Sequence, residues 1–498
     1  MFRLFVAITH RFPLFLLFVL AIKLVIALAV PLTIDEAYYY EWGKYLHLHY
    51  LDHPPLIGWI LWLMLLVDDS VVWLRLPAVL TSIVLTYVWC ATLSACFENR
   101  REEIRIGMAI FAISPLSLLN VIITTDIPQI FFSGLAGAAL VLAFQCNRPL
   151  YSFYAGMCMG LALLSKLLIV FFLPAIFLFF LIRRSYWRHA VAFFCTLLPF
   201  CGLLLWLNYS GCWSNLMFIF NHSDDSPWYV SVPTYVLTVF YVSFPLGIWI
   251  LQKASWRLEK DNAPALFLVI GIFPLLAFLF LSFFTGVGLH WIFSFQIMWS
   301  ALVAVMFTEE ILTRTLKCTV LWTGFHVILL LVVIFAPLKM WNDSELIRHP
   351  VFDLKTEEVY NQVKLKPGRI LFGESYKTGA FFSYFSKELV PNFWSGSHHG
   401  RADDVLVDFR MYANKNLSIF DDIKPDLSRY APFFENVSVR EIAVRGTPFW
   451  IVEGNNFKFE VYREKVLSNV WKSYYVFPQW LPIGRCVFAE RYKFSTLN

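Results

Sequence analysis

The chain has 498 residues, 59% of them hydrophobic and 15% charged, with a net charge of +5 at pH 7. A soluble globular chain carries about 25% charged residues, so the composition excludes that class and describes a polytopic membrane protein. No basic stripe lies on a soluble stretch, which disfavours a nucleic-acid partner. The 50 Phe and 19 Trp suit a surface that faces lipid and its interfaces. Most of the nine cysteines lie in or beside apolar runs as small buried hydrophobes, with no CxxC pair and no disulfide framework. Only Cys212 and Cys486 fall in segments placed outside the membrane, which leaves one bridge open between them.

Arg3 and Arg11 precede the apolar stretch 12–32, where Ala27-Leu28-Ala29 mimics a cleavage site. The stretch is long enough to span, so an uncleaved anchor is expected. Taking about 20 apolar residues per crossing, eleven spans are predicted, near 12–32, 74–97, 106–124, 127–145, 150–165, 167–182, 190–208, 231–251, 264–284, 291–308 and 318–338. Lys23 inside the first would snorkel or pair within the bundle. Spans five and six are short and read as a tilted or broken pair meeting at Ser165-Lys166. The segment 56–67 is apolar but too short to cross, and is expected at the interface.

With a cytoplasmic N-terminus, the inside segments carry Arg3, Arg11, Arg100, Arg101, Arg105, Arg148, Arg183, Arg184, Arg188, Lys253, Arg257, Lys260, Arg314 and Lys317. The outside membrane loops carry only Lys44, Arg75 and Lys166. This asymmetry follows the positive-inside rule. It predicts a multi-pass inner-membrane protein whose residues after 340 lie in the periplasm of a Gram-negative cell. Two domains follow: a transmembrane catalytic domain over 1–340, with 33–73 as its first periplasmic loop, and a soluble α/β domain over 341–498. In the latter, Arg369–Phe372, Phe449–Val452 and Phe457–Tyr462 read as strands and Glu374–Ser386 as a helix.

The polar residues concentrate in Thr33–Trp59, with Asp35, Glu36, Glu41, Asp52, His47, His49 and His53 among tyrosines and tryptophans. Thr33 and Glu36 have capping-box spacing, so Glu36 has a plain structural role open to it. Asp35 shares that first turn, and a cap needs only one acid. An acid at the membrane face of a His- and Tyr-rich island is a candidate general base. Tyr38, Tyr39, Tyr40, Trp42 and Tyr45 fit an interfacial belt as well as a sugar platform. In Asp52-His53-Pro54-Pro55 the two prolines hold an Asp and a His side by side. That arrangement suits an anionic headgroup, a metal or a solvated turn. The alternation of His47 and His49 keeps a divalent metal open, without further ligand spacing to support it.

Three features elsewhere belong to the same expected face. Asp126, in Thr124-Thr125-Asp126-Ile127-Pro128, caps a helix or supplies a second acid. Lys166 is an intramembrane charge, a functional candidate by default, with a carboxylate or a lipid phosphate as partner. His290 precedes Trp291 after Gly286 and Gly288. Asn221-His222-Ser223-Asp224-Asp225 is a further outer polar loop, and His398-His399 reads as an exposed loop.

These motifs together resemble the GT-C superfamily of membrane glycosyltransferases, in the bacterial branch grouped with protein O-mannosyltransferases and the lipid A aminoarabinose transferase. The similarity is carried by Asp35-Glu36 after the first span, Tyr50-Leu51-Asp52-His53-Pro54-Pro55-Leu56, Thr125-Asp126-Ile127-Pro128, Leu164-Ser165-Lys166 and His290-Trp291. The resemblance implies a mostly α GT-C fold and transfer of a sugar from a polyprenyl-phosphate carrier to lipid A, core oligosaccharide or an exported protein. It implies Asp35 as the principal acid, with Asp126 and Glu36 beside it. Asp52, His53, Lys166 and His290 would then meet the carrier phosphate. His53 stands where the aminoarabinose enzymes carry Lys, so the resemblance leaves the donor sugar open. The alternative is a lipid-carrier flippase without chemistry, which needs charge distributed across the bilayer rather than gathered at one face.

Overall fold

The computed structural model describes residues 11–221, 226–243, 263–341, 350–394 and 402–494, without 476 and 479. His222–Asp225, His398-His399, Arg3, Lys253, Arg257 and Lys260 lie outside the described residues. The chain forms two compact units: Met1–Val30, Ser70–Leu204 and Ser223–Val332 in the first, and Pro31–Asp69, Leu205–His222 and Val333–Asn498 in the second.

The first unit is helical. Among the described residues six helices are long and apolar enough to cross a bilayer: Phe12–Ala29, Val71–Cys96, Asp126–Cys146, Arg184–Ser210, Ala263–Leu281 and Glu309–Phe335. Shorter apolar helices cover Pro149–Leu163, Leu167–Ile182 and Gln296–Met306. The chain is a multi-pass membrane protein. The expected short pair at 150–182 is there: Pro149–Leu163 ends before Lys166, and a 3-10 turn, Leu167–Phe172, leads into Leu173–Ile182.

The expected span 106–124 is not one helix. Arg101–Ile113 stops at Ser114-Pro115, and a short helix, Pro115–Leu119, follows. Pro115 has no N–H to continue the ladder but suits a first helical turn. Ser114 accepts a hydrogen bond from the Ser117 N–H at 3.4 Å.

Two buried cations tie the start of this unit together. Lys23 Nζ donates to Ser82 Oγ at 2.9 Å, the Ser117 carbonyl at 2.7 Å and the Asn120 carbonyl at 3.0 Å. It pairs inside the bundle rather than snorkelling. Arg75, 1% exposed, donates to the Ala27 and Val30 carbonyls at the end of Phe12–Ala29. A cation at a helix C-terminus meets its orphan carbonyls and the negative end of its dipole.

The second unit holds a four-stranded sheet in the order β1-β2-β4-β3, formed by β1 (Arg369–Gly373), β2 (Asn416–Asp421), β3 (Asn436–Val444) and β4 (Thr447–Asn455). β1 and β2 are parallel, and the remaining pairs are antiparallel. The helix Tyr376–Ser386 follows β1, as expected from the sequence. The segment Phe457–Tyr462 is not a strand. The chain turns at Asn456, with φ 55°, and Phe459–Tyr462 is helical. Phe459 and Tyr462 are both buried at i,i+3 spacing, which a six-residue alternation cannot be told from.

The helices Ile34–Lys44 and Leu56–Leu65 belong to this unit and pack closely. A Cβ added at Gly43 would collide with Leu61, and Trp42 stacks on Tyr50 with ring centroids 3.8 Å apart. Tyr376–Ser386 closes on Ile34–Lys44 through ring contacts of Tyr38 with Tyr376 and Tyr40 with Tyr384. A disulfide joins Cys212 to Cys486, the pairing that the sequence left open.

Candidate active site

In the second unit the site starts at a helix N-terminus. Thr33 and Glu36 form the capping box: the Thr33 N–H donates to Glu36 Oε2 at 3.0 Å, and the Glu36 N–H donates to Thr33 Oγ1 at 3.4 Å. Glu36 is fully buried and its carboxylate serves the helix. Asp35 stands one residue earlier in the same first turn and is exposed. The helix dipole favours its negative charge.

Asp52 is 1% exposed and accepts a hydrogen bond from the Tyr38 hydroxyl at 3.0 Å. Burial raises its carboxyl from the ordinary value to about 7, and the charge of Asp35 adds to the rise. Tyr38 and local N–H donors pull the other way. The two acids thus differ in setting: Asp35 is exposed, and Asp52 is buried and holds its proton to higher pH than an ordinary carboxyl. Separation of this kind divides acid and base roles between neighbouring carboxyls. Pro54 and Pro55 end the turn that carries Asp52, and Leu56–Leu65 begins directly after them. His53 beside Asp52 is half-buried.

Tyr376 completes this group and was missed by sequence reasoning. Its ring lies edge-on to Tyr38 at 6.1 Å. Burial, then Asp35 and Asp52, push its hydroxyl up to about 12, so it stays a neutral donor. It lies more than 320 residues along the chain from both acids, and no local motif marks it.

His47 and His49 face each other edge to face at 5.1 Å. Burial lowers both, His49 to about 4, so they are neutral rings at neutral pH. Among the described residues the histidines do not form a metal-holding group. The acids near enough to one another to hold an ion are Glu374, Asp421 and Asp422, where β1 and β2 end. Lys377 is 3.7 Å from Asp422 and offsets part of that charge.

In the first unit the structure brings Asp126 and Lys166 together. Lys166 Nζ donates to Asp126 Oδ1 at 2.8 Å, with side-chain exposures of 8% and 13%. Asp126 is the first residue of its helix, and Thr125 occupies the cap position. The Ser165 hydroxyl donates to the Thr125 carbonyl at 2.6 Å, so consecutive residues of one turn grip consecutive residues of the other. His290 lies exposed on the short helix Leu289–Phe293. Gln129, one turn beyond Asp126, is fully buried with neither side-chain polar atom hydrogen-bonded among the described residues.

The fold resembles that of a solved membrane protein, ArnT. The dolichyl-phosphate-mannose-protein mannosyltransferase family matches residues 52–207. The crystal structure of ArnT from Cupriavidus metallidurans bound to undecaprenyl phosphate superposes with a TM-score of 0.63 at 15% identity, covering 89% of this chain and 98% of that one. The apo form of the same protein gives 0.61 at 16% identity, covering 90% and 98%. The lipid A galacturonosyltransferase RgtD of Rhizobium johnstonii is 29% identical over 148 residues, and the match covers 29% of this chain and 31% of that relative.

Proposed function

We propose that this protein is a glycosyltransferase that moves a sugar from a polyprenyl-phosphate carrier to a lipid acceptor of the lipid A class. It would work at the periplasmic face of the inner membrane, with a cytoplasmic N-terminus. The observation that carries the reading is the pairing of an exposed Asp35 with a buried Asp52, whose carboxyl burial raises to about 7. The similarity to a lipid A galacturonosyltransferase and to an undecaprenyl-phosphate-binding transferase supports the donor and acceptor classes.

In the proposed reaction the C1–O bond to the carrier phosphate breaks and a bond from an acceptor oxygen to C1 forms. The carrier leaves as polyprenyl phosphate. Asp35 receives the proton of a hydroxyl acceptor; a phosphate acceptor has none to give. Lys166 and His290 offset the charge of the departing phosphate, as fixed cations do most effectively where water is excluded. Asp126 holds the Lys166 ammonium in place. Tyr38 holds Asp52 through its hydroxyl, Asp52 feels the charge of Asp35, and His53 is a donor to the carrier.

The test is mass spectrometry of lipid A and core oligosaccharide from cells carrying wild-type or Asp35→Asn protein. A one-sugar mass increment with wild type, lost in the variant at equal membrane abundance, is the expected result. Carrier translocation without any sugar-modified product in wild type would sink the reading and favour a flippase.

A further inference from the structure

The helix Trp187–Ser210, the 3-10 turn Arg184–Tyr186 and the helix Leu173–Ile182 enclose a groove of about 490 Å³. Its walls are Phe177, Phe180, Leu181, Phe194 and Leu198, and its one charged lining residue is Arg184. Such a volume lies in the range of about 300–1,000 Å³ found for ligand clefts. From Trp187 to Leu198 the groove runs about 16 Å along the helix axis at 1.5 Å per residue. That is roughly one leaflet of a ~30 Å hydrocarbon core.

The polar chemistry sits at one end only. Arg184 makes no ion pair or side-chain hydrogen bond among the described residues. Arg188 lies over the Trp187 ring at 5.4 Å, an arrangement that places a cation and an interfacial indole at the groove mouth. No acidic residue occurs between Arg183 and Cys212 to compensate these charges locally. The mouth is also rigid. His189, buried one residue beyond Arg188, bonds Ser152 Oγ at 3.0 Å and Asn147 Oδ1 at 3.2 Å. This fixes the start of the helix against the turn between Asp126–Cys146 and Pro149–Leu163.

We infer that this groove binds an anionic glycerophospholipid of the leaflet on the arginine side. Its acyl chain lies along Phe177, Phe194 and Leu198, and its phosphate sits between Arg184 and Arg188. Basic pockets between membrane helices are lipid headgroup sites by the same logic. The chain length matches a leaflet and the charge matches a phosphodiester, which a zwitterionic lipid would satisfy only in part. The inference does not depend on the proposed transferase activity.

Native mass spectrometry of the detergent-purified protein tests this, with dioleoyl-phosphatidylglycerol and dioleoyl-phosphatidylcholine as probes. The wild type should prefer phosphatidylglycerol, and each arginine removed should cut that preference about fivefold, so Arg184→Gln/Arg188→Gln binds the two lipids alike. Ala190→Trp, which fills the groove, should lose both adducts while Arg184 and Arg188 remain. Size-exclusion profiles in detergent show that each variant is folded before comparison. An unchanged phosphatidylglycerol preference in the double arginine variant overturns the inference. So does displacement of phosphatidylglycerol by equimolar undecaprenyl phosphate, which would make the groove a carrier site.

Discussion

Lys166 and Asp126 form a salt bridge of 2.8 Å in which both side chains are nearly buried. Forty residues separate them in sequence, and among the described residues neither makes another ion pair. The geometry matters because a buried ion pair has two different energetic faces. The intact pair contributes little net stability, whereas removing one partner strands a charge at a cost of about 3–5 kcal/mol. Lys166→Met should therefore lower the melting temperature in detergent sharply. Lys166→Met/Asp126→Leu, with both charges gone, should recover most of it without recovering sugar transfer. If the double variant melts as low as the single, the pair is a stabilising element and not a site held at a net cost.

Asp52 gives a pH signature. Its folded-state value of about 7 lies above the ordinary carboxylate value of 3.8. Between those values the folded protein keeps a proton that the unfolded chain has released. Stability from this group is fully present below about pH 4 and is lost as pH rises through about 7, with a limiting slope of about 1.4 kcal/mol per pH unit. Glu374, also raised to about 7 chiefly by burial, works in the same direction. The difference between wild type and Asp52→Asn isolates Asp52, because Asn still accepts from Tyr38. Thermal melts from pH 5 to pH 8 should show a smaller decline in the variant. Parallel curves would place the proton elsewhere.

The sequence made some of this legible and hid the rest for physical reasons. Composition revealed the membrane class because lipid acts on every residue of a span. The capping box was readable because Thr33 and Glu36 interact at fixed local spacing. The Ser114-Pro115 break was also written locally, yet a hydropathy window passes over it, since both flanks are apolar. Phe457–Tyr462 was misread because Phe457, Phe459 and Val461 alternate with period two while Phe459 and Tyr462 stand at i,i+3 in the same six residues. Tyr376 and the Lys166–Asp126 pairing were hidden in another sense: they arise from residues brought together only by folding. Two strands, β2 and β3, escaped because their burial depends on neighbours that are distant in the chain.

The Cys212–Cys486 disulfide spans 274 positions of the sequence. Such a bridge constrains the unfolded chain and typically contributes about 2–4 kcal/mol. It also reports on compartment, since structural disulfides persist where the environment is oxidising. Cells labelled with a maleimide-polymer under denaturing conditions should show two more modified cysteines after reduction than before it. Cys212→Ser/Cys486→Ser should abolish that difference and lower the melting temperature. Equal labelling with and without reductant would mean that the thiols are free and would remove this support for a periplasmic location.

Two glycines of neighbouring helices allow the same substitution to be tested with opposite expected signs. Gly156 and Gly160, four apart on Pro149–Leu163, face Phe193, Thr196 and Phe200 of Trp187–Ser210. A Cβ at Gly156 would strike the Phe193 carbonyl, which is backbone and cannot rotate away. Small residues at this spacing let membrane helices approach closely. Gly202, on the second helix, has nothing within 4 Å of the same added atom. Gly156→Ala should therefore force the helices apart and destabilise, by about 1–3 kcal/mol as overpacking does. Gly202→Ala adds no clash and gains helix propensity, worth up to about 1 kcal/mol. Melting curves of the two variants should fall on opposite sides of wild type. A neutral Gly156→Ala would show that the two helices do not cross as closely as described.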